Sequence, residues 1–196
     1  MGLLHFLDYR STNDLDAWWQ RDATGAERRE VEEVVTEALS AYGEVRIRRW
    51  GDVVSIELLE GAKKIFSFQV AERSSQLEPS TQLPWIRISS DAWNDLVASK
   101  MVALIERGTP RDFRDIYAVC RHELIEPETC WELWRTKEQL GARDATSSRA
   151  RLALETHLTR LSQLRPLEKI AGVAERQGAE SVRLFFAKDF LDALVD

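Results

Sequence analysis

Thr12-Asn13-Asp14-Leu15-Asp16-Ala17-Trp18-Trp19 is the stretch around which the chain is organised. Leu15 and the apolar residues after it read as a short buried strand with polar residues at its mouth. Side chains two residues apart on a strand face the same way, so Asp14 and Asp16 stand side by side on one face. Two carboxylates so placed repel each other unless a cation lies between them. A pair of oxygen ligands suits Mg²⁺ or Mn²⁺, which keep water and substrate phosphates as further ligands. The chemistry this implies is metal-dependent phosphoryl or nucleotidyl transfer. Most Asp-x-Asp pairs merely face solvent, so the remaining sequence has to decide between the two.

Composition narrows the class. A chain of 196 residues, 44% hydrophobic and 31% charged, has the make-up of a globular protein with one domain or one domain and an appendage. Its formal charge of −6 argues against an overall electrostatic grip on nucleic acid while leaving room for a local basic patch. Cys120 and Cys130 have no metal-ligand spacing and fit reduced thiols. No apolar run is long enough to cross a membrane, and the start of the chain does not read as a secretory signal. The expected location is the cytoplasm, with no membrane partner.

Around the Asp pair the periodicity lays out a sheet followed by helices. Leu3 to Tyr9 has a helical cast, and an amphipathic helix runs from Ala26 to Tyr42 with Val31, Val34, Val35, Ala38 and Leu39 on one face. Three strands follow, Val45–Trp50, Val53–Leu59 and Lys64–Ala71, joined by tight turns into an antiparallel meander. In the third, Ile65, Ser67 and Gln69 alternate with Phe66, Phe68 and Val70, the pattern of a sheet with one well-buried face. After a polar loop, Trp85–Ile88 reads as a last strand, and Ser89-Ser90-Asp91 supply helix-start residues. Helices are expected at Ala92–Arg107, Arg111–Glu123, Glu128–Leu140, Ser147–Leu164, Pro166–Gln177 and from Ala179 onward.

A second cluster lies on the first two of these helices. Lys100 sits among Leu96, Val97, Met101 and Leu104, and Arg107 is two turns on, so both cations share one side. Beyond Gly108-Thr109-Pro110, the segment Arg111-Asp112-Phe113-Arg114-Asp115 can gather Arg111, Asp112 and Asp115 on one face. Nucleotide transfer needs cations for the triphosphate and an acceptor for the attacking hydroxyl's proton. Lys100 with Arg107 or Arg111 can supply the first and Asp115 the second; surface ion pairs of small energetic value are the plain alternative.

Together these motifs resemble a known family. Gly2, eleven residues, then Asp14-Leu15-Asp16 is similar to the Gly-Gly/Ser…Asp-x-Asp signature of the polymerase-β-like nucleotidyltransferases. Lys100, Arg107 and Arg111-Asp112-x-x-Asp115 resemble the downstream motif of the AbiEii/AbiGii group within that superfamily. The resemblance implies an α+β polymerase-β-like nucleotidyltransferase fold, with a mixed or antiparallel sheet and a C-terminal helical bundle. It covers residues 1–120 as the nucleotidyltransferase-like domain, leaving 121–196 as a helical C-terminal region. It implies a toxin of abortive-infection or type IV toxin–antitoxin systems that transfers a nucleoside monophosphate from an NTP to an RNA acceptor, the tRNA 3′ end, with release of pyrophosphate. Asp14 and Asp16 would then bind Mg²⁺ or Mn²⁺. Gly2, Ser11 and Thr12 would border the phosphates, Lys100, Arg107 and Arg111 would face the nucleotide, and Asp115 would activate the acceptor hydroxyl. A cognate antitoxin is the implied protein partner.

Two departures from the pattern stand out. Met1 occupies the first place of the glycine pair, so either the true start lies upstream or the phosphate pocket lacks a wall. The third acid of the superfamily falls at Gln69, with Glu57 on the neighbouring strand as a substitute. A catalytically weakened module that binds nucleotide, RNA or antitoxin is therefore the rival reading, as is transfer to a small-molecule or protein hydroxyl. Arg46, Arg48, Arg49, Lys63 and Lys64 offer either a basic edge for an RNA backbone or a charged edge that discourages aggregation. His5, His122 and His157 lack companion ligands and read as structural, and Trp131 and Trp134 as helix packing.

Overall fold

The computed structural model describes residues 2–73, 75–83 and 88–195. They form two compact units, one over Leu3–Ser74 and one over Ser75–Asp196, and the motif-based boundary at residue 120 falls inside the second.

The first unit is a four-stranded mixed sheet with one long helix. A short helix α1 (Gly2–Phe6) leads to β1 (Asp14–Trp18), then α2 (Gly25–Ser40) and the strands β2 (Glu44–Trp50), β3 (Val53–Glu60) and β4 (Lys63–Ala71). The order is β1-β4-β3-β2; β2, β3 and β4 are the expected meander, and β1 pairs parallel to β4. That parallel pairing needs a long crossover, which α2 and the meander provide. The helix starts at a capping box: the Thr24 hydroxyl accepts from Glu27 N, and Glu27 Oε2 accepts from Thr24 N at 2.8 Å. Glu32 on α2 pairs with Arg49, which shares a strand face with Ile47 and Val45, so α2 covers the more apolar side of the sheet.

One expectation for this sheet is corrected. The apolar alternation of β4 predicts that Phe66 and Phe68 line the buried face, yet both are only half-buried while Ser67 is fully buried. Residues Ser55 to Leu59 of β3 are all buried, so this central strand is buried on both faces, polar side included.

In the second unit a small ladder, β5 (Thr81–Gln82) with β6 (Ser89–Ser90), precedes the helices. The expected strand Trp85–Ile88 falls on residues 85–87, outside the described residues, and Ile88 itself is not in a strand. Ser89-Ser90 pair in the ladder instead of starting the helix, whose cap is Ala92, without a side-chain bond. The helices are α3 (Trp93–Glu106), α4 (Pro110–Arg121), α5 (Pro127–Leu140), α6 (Ser147–Leu164) and α7 (Val173–Phe185), the last running into a π-turn at Phe186–Phe190. The end of the chain departs from the sequence reading. Pro166 starts only a 3₁₀ turn, Leu167–Lys169, and the next helix begins after Gly172, while Gly178 lies within α7 rather than breaking it. A Cβ at Gly178 would meet no atom within 4 Å, so the glycine is there without a packing demand and costs the helix only its entropy.

Aromatic side chains fill this core. Trp131 Nε1 donates to Phe190 O at 2.8 Å, Trp131 and Trp134 pack edge-on at 6.0 Å, and Phe113 meets Phe186 at 4.9 Å. The Trp131/Trp134 pair thus acts as helix packing. Cys120 and Cys130 are free thiols with sulfurs 3.9 Å apart, and the contact with Cys120 together with burial pushes the Cys130 thiol well above its ordinary range. Among the described residues no helix is long and apolar enough to cross a membrane.

Candidate active site

In the first unit an acidic cluster is built by strand register. On one face of the sheet Asp14, Ser67, Glu57 and Arg46 form one cross-strand row, and Asp16, Gln69, Ser55 and Arg48 form the next. Asp14 is half-buried and Asp16 exposed at the free edge of β1. Thr12 Oγ1 donates to Asp14 Oδ1 at 2.6 Å and orients that carboxylate, while Ser11 is exposed and Gly2 opens α1.

This register sets the two candidates for a third ligand at different distances from Asp16. Gln69 stands directly beside Asp16, whereas Glu57 lies two strands from β1, roughly 9–10 Å away at normal strand spacing. Glu57 is also engaged: Arg46 donates to its Oε2 through Nε at 2.9 Å and Nη2 at 2.7 Å, and Arg48 lies 4.0 Å from its other oxygen. Among the described residues no three His, Cys, Asp or Glu side chains gather as a metal site. The donor set at the edge is two carboxylates and one amide oxygen, all hard ligands, and it fits a divalent cation that takes its remaining ligands from phosphates and water.

In the second unit a separate cluster of cations and acids is built by two helices and the turn between them. Lys100 on α3 reaches Asp115 Oδ2 at 2.9 Å and Asp112 Oδ1 at 3.6 Å, both on α4. Arg107, the C-cap of α3, grips Asp112 with two parallel bonds, Nε to Oδ2 and Nη2 to Oδ1, each 3.0 Å. Asp112 also closes a capping box with Thr109, whose N and Oγ1 donate to its Oδ2 at 3.1 and 2.6 Å. Both aspartates are fully buried, Lys100 is 21% exposed and Arg111 is exposed. Burial alone pushes the Asp112 carboxyl up. The hydrogen bonds from Arg107 and Thr109 and the charges of Arg107 and Lys100 outweigh it, holding the group below the usual carboxylate range.

The turn that allows this meeting rests on Gly108. Its φ is +51°, a left-handed conformation suited to glycine, and a Cβ there would lie 2.2 Å from the His157 ring. His157 holds the turn in place, its Nε2 3.0 Å from Ile105 O, and Arg160 donates to the carbonyls of Arg107 and Gly108. His157 is thus structural, as its lack of companions implies. His122 serves as the C-cap of α4, and the His5 side chain lies outside the described residues.

Sequence reasoning placed Lys100, Arg107, Arg111 and Asp115 at this junction but gave Asp112 no role of its own. Thr109-x-x-Asp112 ahead of an apolar run is a capping-box signature that signals it. A second buried pair, Lys137 with Asp95 at 2.7 Å, joins α5 to α3, and the Leu77 and Glu78 amides also donate to Asp95. Nothing in its sequence spacing announces that pairing.

A family model described as nucleotidyl transferase AbiEii toxin, type IV toxin–antitoxin system, matches residues 1–181 of the 196. The chain belongs to the AbiEii family. No curated protein and no solved structure matches it. AbiEii membership carries nucleotidyltransferase toxin activity, a nucleotide substrate and a cognate antitoxin, and it accords with the mixed sheet followed by helices.

Proposed function

We propose that this AbiEii chain transfers a nucleoside monophosphate from an NTP to a hydroxyl of RNA, the tRNA 3′ end being the expected acceptor. The hydroxyl oxygen bonds to the α-phosphorus, the bond to the β-phosphate bridge breaks, and pyrophosphate leaves. The observation that carries this reading is that Asp14 and Asp16 share one face of an edge strand, with Gln69 beside Asp16. Asp14, Asp16 and Gln69 are the residues that would hold Mg²⁺ or Mn²⁺. When bound, such an ion neutralises phosphate charge.

The chain's own groups have distinct tasks in this proposal. Thr12 fixes Asp14, and Gly2 and Ser11 border the phosphates. Lys100 meets the triphosphate as a point charge, with Arg107 and Arg111 as flanking cations. Asp112 and Asp115 hold Lys100 in place. The motif also assigns Asp115 the hydroxyl proton, a role that requires it to leave its 2.9 Å contact with Lys100. Arg46 and Arg48 share one face of the edge strand β2 and are the candidates for an RNA backbone, although both face Glu57, while Arg49 pairs with Glu32 on the other face.

Gln69 favours one rival. A neutral amide in the third ligand position weakens charge neutralisation, which suits a module that binds nucleotide without turnover. Incubating the protein with each labelled NTP, Mg²⁺ and total tRNA separates the two. Labelled tRNA supports the transferase; NTP binding with no labelled product under any of the four NTPs supports the module.

A further inference from the structure

Trp18 is the third residue on the face of β1 that carries Asp14 and Asp16, two positions beyond Asp16 and so roughly 6–7 Å along the strand. Its neighbour in register is Ala71. The indole is 40% exposed, whereas the adjoining Trp19 is buried on the opposite face with Arg28 over its ring. The Arg73 guanidinium lies 5.9 Å from the Trp18 ring centroid, within cation–π range. An edge strand thus presents, in succession, two carboxylates and a partly exposed aromatic ring with a cation over one of its faces.

We infer that Trp18 and Arg73 form a stacking platform for a nucleobase whose phosphate is held at Asp14 and Asp16. Every base offers a π face, so an exposed indole beside a guanidinium binds one without regard to sequence. Spacing supports this occupant: phosphate and base of one nucleotide are separated by a sugar, and the two parts of the strand face are separated by one side-chain repeat. This inference rests on the proposed phosphate site at Asp14 and Asp16. The base can belong to the NTP or to the terminal nucleotide of the acceptor strand.

The test uses the full chain and four variants, Trp18→Ala, Trp18→Phe, Arg73→Gln and Asp16→Asn, with binding measured for Mg²⁺-NTP, Mg²⁺-tripolyphosphate and single-stranded RNA. Trp18→Ala is expected to weaken binding of the base-bearing ligand by about 5- to 150-fold, the range for one base on an aromatic ring. Trp18→Phe should recover most of that loss, and tripolyphosphate, which has no base, should bind all three platform variants like wild type. A loss confined to NTP assigns the platform to the incoming nucleotide, and one confined to RNA assigns it to the acceptor. Unchanged affinity for both, or an equal loss for NTP and tripolyphosphate, overturns the platform. Failure of the phosphate site shows separately, as unchanged tripolyphosphate binding in Asp16→Asn, while the Trp18 variants still decide whether a base stacks.

Discussion

Lys100 Nζ lies 2.9 Å from Asp115 Oδ2, joining two helices through a carboxylate that is fully buried. The contact predicts how Asp115→Asn behaves. A free proton acceptor would lose about 10²–10⁴-fold in kcat at unchanged NTP affinity. A residue that positions Lys100 instead raises KM for NTP as the rate falls, and the pairing predicts this second pattern. Steady-state kinetics over a range of NTP concentrations distinguish them.

Lys100→Ala removes the ammonium from two buried carboxylates at once. Leaving buried charge without its partner costs about 3 kcal/mol, somewhat relieved here because Arg107 still serves Asp112. A loss of both stability and NTP affinity is expected, and chemical denaturation alongside NTP titration measures the two.

Asp112 makes stability depend on acid pH. Its folded-state pKa is lowered, as is that of Asp95, where the Lys137 bond and the Leu77 and Glu78 amides outweigh the upward push of burial. The unfolded chain therefore binds more protons in acid. The stabilisation is complete above the ordinary carboxylate value, about 3.9, and is lost as pH falls through the lowered folded values. Asp112→Asn should cost about 1.5–3 kcal/mol at neutral pH and flatten the decline below about pH 4. Denaturant melts between pH 2 and 7 provide the comparison.

Gly108→Ala tests the turn beneath the cationic cluster. A side chain at φ +51° costs about 1–3 kcal/mol, and forcing a methyl into His157 adds a similar amount. The double variant Gly108→Ala with His157→Ala should recover the second part only, a non-additivity visible in thermal melts.

Both side-chain clusters were legible because each is local. Asp14 and Asp16 need only the two-residue repeat of a strand, and Lys100, Arg107, Asp112 and Asp115 fall within sixteen residues joined by one turn. The meander was legible for the same reason. The parallel pairing of β1 with β4 was not, since a register such as Asp16 beside Gln69 spans more than fifty residues and leaves no periodic trace. The burial of Ser67 and the pairing of Lys137 with Asp95 depend on what packs above them, so hydropathy alone points the wrong way. At Gly178 the glycine suggests a break, but a helix in open space tolerates it, and Gly172 takes the terminal role.

The acid pair is expected to give the sharpest loss of function. Asp16 is exposed, so Asp16→Asn should leave the melting temperature nearly unchanged while abolishing transfer, and chelation of divalent ions should do the same to the wild type. Residual transfer in excess chelator removes the metal from the proposal.

Nucleotidyl transfer itself is tested most directly by the position of the label. Parallel reactions with tRNA, Mg²⁺ and an NTP labelled at either the α- or the γ-phosphorus should put only the α-label into RNA, with the γ-label recovered in pyrophosphate. Transfer of the γ-label to RNA, or of neither label across all four NTPs, would contradict the assignment.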